Sequence, residues 1–135
     1  MTVDFEWQDD YLIGVDEIDC QHKRFLKLIK SIYERKRNAA DEKEVTDLLD
    51  EIKKYAHFHF SSEELLMTMY LYPKHNEQKE DHDKIKLKLN KKIDNLKAHK
   101  GELIDLLHFL MKWFIDHTTC LDKDLGEYIN KHRTT

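Results

Sequence analysis

Apolar residues recur every three or four positions along most of the chain, a period that predicts amphipathic helices. Residues 1–18 lack this period, and we expect them to form an extended arm that packs on the helices. Asp19 is the predicted N-cap of a first helix over residues 19–37. The apolar stripe of this helix consists of Phe25, Leu26, Ile29, Ile32 and Tyr33.

The same pattern continues with short interruptions to the end of the chain. It predicts three further helices and then a short C-terminal segment, over residues 41–70, 73–99, 102–119 and 120–135. Asp41 and Glu44 have the spacing of a capping box, and Pro73 suits the first turn of the third helix. Four long helices with short connections predict one all-α domain over residues 1–135, an antiparallel up-down four-helix bundle with an N-terminal arm.

Composition agrees with this fold and narrows the function. The 135 residues include only three glycines and one proline, and the net charge of -4 gives no electrostatic reason to expect nucleic acid or an anionic membrane as a partner. No apolar run approaches the roughly 20 residues of a membrane span, and the acidic N-terminus does not resemble a signal peptide. Two cysteines are too few for a disulfide framework, so we expect a reducing, cytoplasmic location.

Polar residues interrupt the apolar faces at several positions. His59 and Glu63 lie one turn apart on the same face of the second helix. Asp122 lies five residues beyond His117, which turns it about 140° away on an ideal helix, so it needs a local distortion such as a π-bulge to face the same centre. His57 falls on the opposite side of its helix and is predicted to be solvated. The set predicted to point inward is His22, His59, Glu63, His82, His117 and Asp122.

Any one of these residues could be a hydrogen-bonded core residue, but six together require compensation. Burying four imidazoles and two carboxylates without it costs several kcal/mol or more, whereas a divalent metal compensates all of them. Imidazole with carboxylate suits Fe, Mn or Zn, and the sequence offers no convergent thiolates. Six protein ligands exceed the four of a structural zinc site, which favours two metals bridged by carboxylates.

Four segments carry a resemblance to a known family. The arm and first helix contain Trp7, Gly14-Val15, Ile18-Asp19 and Gln21-His22; "HFSSEELLM" has His-x-x-x-Glu; "YPKHNEQKEDHDKI" begins the third helix; and "WFIDHTTCLDKDL" has His-x4-Asp. Together they resemble the hemerythrin family over nearly the whole chain, in particular its single-domain bacterial form.

The resemblance implies a nonheme diiron centre in which Glu63, Asp122 and a solvent oxygen bridge two irons. His22 and His59 would bind the iron with an open position, where dioxygen binds, and His82 and His117 would bind the other. The implied function is reversible dioxygen binding, for carriage, storage, delivery or sensing. We expect a monomer that is not an enzyme, with dioxygen as ligand and a redox protein or an oxygen-using enzyme as candidate partner.

Gln78 departs from the family pattern, which has His-x-x-x-His on the third helix with His82 as its second histidine. Three interpretations stay open. Gln78 binds metal through its oxygen, or water replaces it, which leaves a diiron site with a more accessible metal. Alternatively His75 substitutes, although it lies ~10 Å from His82 along the helix axis. In the third interpretation the site holds a single metal.

Function also has alternatives. The same metals could serve an enzyme, such as a peroxidase or a nitric-oxide-handling protein, and turnover with hydrogen peroxide would distinguish it. A third possibility is metal or oxygen sensing through loss of folding when metal leaves. Cys20 is predicted to be partly exposed and Cys120 to be a small buried packing residue. The residues predicted to line an apolar pocket for dioxygen are Phe25, Phe60, Met67 and Phe114.

Overall fold

The computed structural model describes residues 5–38 and 41–133, and within these ranges all regular structure is helical. Its elements are a 3-10 turn Asp9–Tyr11, α1 Asp16–Arg37, α2 Glu42–Met69, α3 His75–Lys97, α4 Leu103–His117, a π-helical turn Thr118–Asp122 and α5 Lys123–His132. Residues 1–4 of the predicted arm, Ala39 and Ala40 between the first two helices, and residues 134–135 of the C-terminal segment lie outside the described residues.

The helices close into a ring of four. α1 packs on α2, α2 on α3 and α3 on α4, while α4 also packs on α1. Short connections reverse the chain between successive helices, which gives the antiparallel up-down order. The predicted all-α four-helix bundle is confirmed.

The start of α1 differs from the prediction. The helix begins at Asp16, three residues before the predicted N-cap, Asp19. The Asp19 carboxylate instead accepts hydrogen bonds from the backbone N–H groups of Ile13, at 2.8 Å, and Gly14, at 3.2 Å. Asp19 therefore fastens the arm to α1 from within the helix, because its carboxylate reaches back over the first turn.

The two central helices begin and end close to the predicted positions. Asp41 is the N-cap of α2, and its side chain accepts a hydrogen bond from the backbone N–H of Glu44, as predicted. α3 starts at His75, so that Pro73 precedes the helix instead of occupying its first turn. α3 ends at Lys97, two residues early, because His99 takes a left-handed conformation with φ of 59°.

The fourth predicted helix is longer than expected. The chain stays helical from Leu103 through the π-helical turn to His132, so most of the predicted C-terminal segment, residues 120–135, is a continuation of the bundle. Gly126 is buried on α5, and a Cβ placed there would lie 2.0 Å from the backbone oxygen of Ile13. The absence of a side chain at Gly126 therefore lets the arm lie directly against α5.

Two apolar clusters form the core. The larger one fills the space between the four helices and includes Phe25, Phe60, Ile85 and Phe114. The smaller one joins the arm, α1, α2, the connection after α2 and α5, and consists of Ile13, Val15, Ile18, Met67, Tyr72, Leu125 and Ile129. On α1, His22 lies between Ile18 of the smaller cluster and Phe25 of the larger one, and on α2, Glu63 lies between Phe60 of the larger cluster and Met67 of the smaller one. The fold therefore places a polar layer between two apolar ones.

None of the helices in the described ranges has both the length and the apolar character that crossing a membrane requires.

Candidate metal centre

The polar layer contains every residue predicted for the metal site. All are buried, with at most 4% of the residue surface exposed, and Glu63, His82 and Asp122 show none. They come from the first half of α1, the end of α2, the start of α3 and the end of α4. In an up-down bundle these four parts lie at the same end, which explains why residues 100 positions apart meet.

One group of four side chains offers a complete set of ligands. His22, His59, Glu63 and Asp122 each present an atom within 4.8 Å of the others'. Nε2 of His59 lies 2.6 Å from Glu63 Oε1 and 3.1 Å from His22 Nε2. Nε2 of His22 lies 3.1 Å from Asp122 Oδ2. Two nitrogens and two carboxylate oxygens thus surround one point.

A second group lies beside the first and shares Glu63 with it. Glu63, His82 and His117 also present atoms within 4.8 Å of one another. Glu63 Oε1 is 3.8 Å from Nε2 of His82 and 4.0 Å from Nε2 of His117. Asp122 connects the groups differently, since its Oδ2 faces His22 while its Oδ1 lies 3.0 Å from Nε2 of His117. Both carboxylates therefore stand between the two groups.

Several of the converging atoms lack hydrogen bonds. Among the residues described, the buried atoms without a hydrogen-bond partner include Glu63 Oε1, His82 Nε2, His117 Nε2 and Asp122 Oδ2. Buried polar atoms are seldom left so, because each costs free energy unless something compensates it. Imidazole nitrogens and carboxylate oxygens that converge on one point are the ligands that divalent cations require, so the donor set fits a metal centre.

The π-helical turn explains how Asp122 reaches the centre. A π-helical turn contains an extra residue per turn, so Asp122 is brought back into phase with His117 across five positions. The distortion predicted for this segment is confirmed, because Asp122 Oδ1 lies beside His117 Nε2.

A set of outer hydrogen bonds holds three of the imidazoles, and the sequence interpretation missed it. Nδ1 of His59 donates to Gln21 Oε1 at 2.7 Å. Nδ1 of His82 donates to Glu64 Oε2 at 2.9 Å. Nδ1 of His117 donates to Asp81 Oδ2 at 2.7 Å. Because Nδ1 is held by the outer partner, each ring turns Nε2 toward the centre, where it can bind a metal.

These outer partners share a simple arrangement. Gln21, Glu64 and Asp81 each sit next in sequence to a residue of the inner layer, yet each holds an imidazole on the following helix. The only indication of these partners in the sequence is that each is a polar residue beside an inward residue. It could not be interpreted because the partner is 18 or more positions away in the sequence. Glu64, which follows Glu63 in the sequence, is therefore a partner of His82.

Other predictions about individual residues have mixed outcomes. His57 is half-buried, not solvated, and its Nε2 is buried, although it belongs to neither ligand group. Cys120 is exposed, which contradicts its predicted role in packing, because the π-helical turn points it outward. Cys20 is exposed too. Both cysteines are free thiols outside the ligand groups.

Gln78 lies in the polar layer with 1% of its surface exposed. Its Nε2 donates to Glu63 Oε2 at 3.0 Å and to Asp122 Oδ1 at 2.8 Å. Its Oε1 is buried and has no partner among the described residues. His75, the proposed substitute, is half-buried at the first turn of α3 and belongs to neither ligand group.

Aromatic rings border the polar layer on the side of the larger cluster. Phe60 stacks on His82 with ring centroids 4.4 Å apart, and Trp113 stacks on His117 at 4.9 Å. Phe114 meets His22 edge-on at 5.3 Å and stacks on Phe25. Met67, predicted to share this role, is buried in the smaller cluster instead.

Burial and mutual charge shift the pKa values of the two carboxyl groups in opposite directions. Burial and the nearby Asp122 charge raise the pKa of Glu63 well above its ordinary value. Burial would also raise the pKa of Asp122, but the charge of His117, with Glu63 and His22 in contact, holds it well below its ordinary value. The metal-free protein therefore protonates Glu63 before Asp122.

The imidazoles are shifted as well. Burial lowers the pKa of His59 well below its ordinary value, and burial with the neighbouring His117 lowers that of His82. Burial acts in the same sense on His117, but Asp122 and Asp81 outweigh it and raise the pKa to about 9. Metal binding at His117 must therefore displace a proton, whereas His59 and His82 are already neutral at pH 7.

Comparison with known proteins identifies the family. The family model described as the hemerythrin HHE cation binding domain matches residues 13–129. The chain belongs to the hemerythrin family. It is 31% identical over 131 residues to a bacteriohemerythrin of Clostridium acetobutylicum, covering 93% of this chain and 99% of that protein. A bacteriohemerythrin of Stenotrophomonas maltophilia is 28% identical over 126 residues, covering 93% and 82%.

Solved hemerythrins share the architecture. The crystal structure of a wild-type hemerythrin superposes with a TM-score of 0.80 at 25% identity, covering 90% of this chain and 95% of that one. A leucine-to-alanine mutant of hemerythrin gives 0.81 at 25% identity, covering 91% and 95%. The predicted membership of the hemerythrin family and its class of function, oxygen binding in a four-helix bundle, are confirmed.

Proposed function

We propose that this hemerythrin binds dioxygen reversibly at two nonheme irons held in the polar layer. The observation that carries the proposal is the pair of adjoining ligand groups that share Glu63. Asp122 supports it, because its two oxygens face one imidazole of each group. A carboxylate with this geometry suits a bridge between two ions better than a ligand to one.

Iron suits the donors. The side chains that would hold it supply four imidazoles and two carboxylates, a combination typical of nonheme iron. His22 and His59 would hold one ion and His82 and His117 the other, with Glu63 and Asp122 between them. The two irons, when bound, supply the electrons for reversible reaction with dioxygen.

The protein around the site would protect that chemistry. Phe60, Trp113 and Phe114 border the imidazoles on the side of the main core and exclude water there. Gln21, Glu64 and Asp81 keep three imidazoles in the tautomer that presents Nε2. A dry, orientated site favours release of unreacted dioxygen over proton-assisted oxidation.

We also propose a cytoplasmic location, supported by the exposed free thiols Cys20 and Cys120, which a reducing compartment would keep reduced. Dioxygen is then the small-molecule ligand, and a redox protein or an oxygen-using enzyme is the candidate partner.

The test is a visible absorption spectrum through a cycle of air and vacuum. Metal-free protein is loaded anaerobically with excess Fe(II), freed of unbound iron and exposed to air. We expect a charge-transfer band that appears in air, disappears under vacuum and returns over several cycles. Irreversible oxidation in the first cycle, with sustained turnover of hydrogen peroxide, would overturn the proposal and favour the alternative of a diiron peroxidase.

A further inference from the structure

The two ligand groups are not equal, and Gln78 lies where they differ. The first group has four ligand atoms from His22, His59, Glu63 and Asp122, whereas the second has three, from Glu63, His82 and His117. Gln78 is on α3 one turn before His82, and its side chain is buried in the polar layer. It adds an amide group to the side of the centre that has fewer ligands.

The amide nitrogen of Gln78 contacts both carboxylates. It donates to Glu63 Oε2 at 3.0 Å and to Asp122 Oδ1 at 2.8 Å. Asp122 Oδ1 is also the oxygen that faces His117, at 3.0 Å. Gln78 therefore holds with N–H donors the Asp122 oxygen beside His117, and also Glu63 Oε2, the oxygen that Glu63 would have left for a second ion once the first ion takes Oε1.

The first group is free of this competition. Its carboxylate atoms are Glu63 Oε1, 2.6 Å from His59 Nε2, and Asp122 Oδ2, 3.1 Å from His22 Nε2. Neither accepts a hydrogen bond from Gln78, whose two bonds go to the other oxygen of each carboxylate. An ion here meets two oxygens and two nitrogens without breaking a hydrogen bond from Gln78.

The second group nevertheless keeps the means to bind an ion. Glu64 and Asp81 hold His82 and His117 with Nε2 facing inward, and a carboxylate partner makes an imidazole a stronger donor. Gln78 also has a buried oxygen without a partner. If the amide turns over, this oxygen becomes a weak, uncharged ligand, at the expense of both hydrogen bonds.

We propose that the centre loads its two metals unequally, the first tightly between His22, His59, Glu63 and Asp122, and the second weakly beside His82 and His117 because the Gln78 amide holds the carboxylate oxygens. The inference rests on the proposed two-metal function and adds an order of binding to it. At limiting iron the protein would therefore hold one ion per chain, and only at higher iron would it become competent for dioxygen.

Anaerobic titration of the metal-free, full-length protein tests this inference. Fe(II) binding is followed by calorimetry and, in parallel, Co(II) binding is followed by its visible absorption. We expect two resolved steps whose affinities differ by at least about 100-fold, since loss of an outer partner alone costs about 10- to 100-fold. His59→Gln should weaken the first step, whereas His82→Gln should abolish the second and spare the first.

Replacement of Gln78 tests whether this residue is the cause of the weak second binding step. Gln78→His removes the N–H donors from the carboxylates and supplies an imidazole, so the second step should tighten until it merges with the first. The matched control is His75→Gln, a change three residues earlier at the start of the same helix, which should leave both steps unchanged. Circular dichroism of each metal-free variant confirms that it is folded before titration.

Hydrogen bonding by Gln78 has an independent readout. In protein loaded with one equivalent of diamagnetic Zn(II), the side-chain amide protons of Gln78 should be protected from exchange. Two equal binding steps in the unmodified protein, or no effect of Gln78→His on the second step, would overturn the inference. These outcomes are separate from the dioxygen test, because a protein with two equal metals could still bind dioxygen.

Discussion

Asp81 precedes His82 on α3, yet its carboxylate accepts a hydrogen bond from Nδ1 of His117 on α4 at 2.7 Å. Gln21 on α1 holds His59 on α2 in the same way, and Glu64 on α2 holds His82 on α3. Each helix therefore orients an imidazole of the next helix. His22 differs, since its buried Nδ1 has no partner among the described residues. The bundle therefore positions its ligands through contacts between helices, and shifts of one helix would be felt at the metals.

Asp81→Asn tests this positioning role. The change removes the negative charge behind His117 and weakens the imidazole as a donor, so we expect metal affinity at the second step to fall about 10- to 100-fold. The first step should change far less, because Asp81 contacts neither His22 nor His59. Calorimetric titration with Fe(II) measures both. Asp83→Asn, an exposed change on the same helix, is the control, and equal losses in the two variants would show that Asp81 has no special role.

Substitutions of three glutamates should form a graded series. Glu63→Ala removes the carboxylate shared by both groups and should lower metal affinity by well over about 100-fold. Glu64→Ala removes only the partner of His82 and should cost about 10- to 100-fold. Glu80→Ala changes an exposed residue and should have no effect. Iron retained after dialysis against a chelator ranks the three, and a loss for Glu80 equal to that for Glu64 would contradict the assignment.

Glu63→Gln should stabilise the metal-free protein while it abolishes tight metal binding. Because the pKa of Glu63 is raised in the folded state, its ionised form opposes folding at neutral pH. Removing the charge should increase the free energy of unfolding at pH 7 by about 1 kcal/mol or more.

The gain in unfolding free energy from Glu63→Gln should depend on pH. Below the ordinary pKa of 4.5, Glu63 is protonated in the folded and unfolded states alike, so the advantage of Gln should vanish as the pH falls through that value. Urea unfolding of both metal-free proteins at several pH values measures it. An advantage that is constant with pH would mean that packing, not charge, explains the effect.

Gly126→Ala should detach the arm from α5. A Cβ at this position would lie 2.0 Å from the backbone oxygen of Ile13, so either the arm or the helix has to move. We expect destabilisation of about 1 to 3 kcal/mol, the usual cost of overpacking. Urea unfolding measures it, with the exposed Glu127→Ala as control. If Gly126→Ala is as stable as the unmodified protein, the close approach of the arm is not required.

Much of the fold and the inner layer could be predicted, because both follow from helical period. His59 and Glu63 share a face one turn apart, and the five-residue gap from His117 to Asp122 indicated the π-helical turn that is present. The outer partners could not be predicted, since helical period does not show that Glu64 meets His82, a contact that depends on the packing of α2 on α3.

The prediction for Asp19 was wrong, and the role of Gln78 stayed open, for a different reason. Asp19 resembles an N-cap in sequence, but its carboxylate bonds to the arm, whose path has no periodic signal. The role of Gln78 depends on which amide atom faces the carboxylates. The orientation of the amide depends on Glu63 from α2 and Asp122 from the π-helical turn, which are distant from Gln78 in the sequence.

The most direct test of the central claim is the location of iron in crystals of protein loaded with excess Fe(II) under anaerobic conditions. Anomalous diffraction at the iron absorption edge should show two peaks per chain. One should lie between His22, His59, Glu63 and Asp122, and the other should lie beside His82 and His117 at lower occupancy. A single peak that persists at saturating iron, or peaks outside the polar layer, would contradict a two-metal centre.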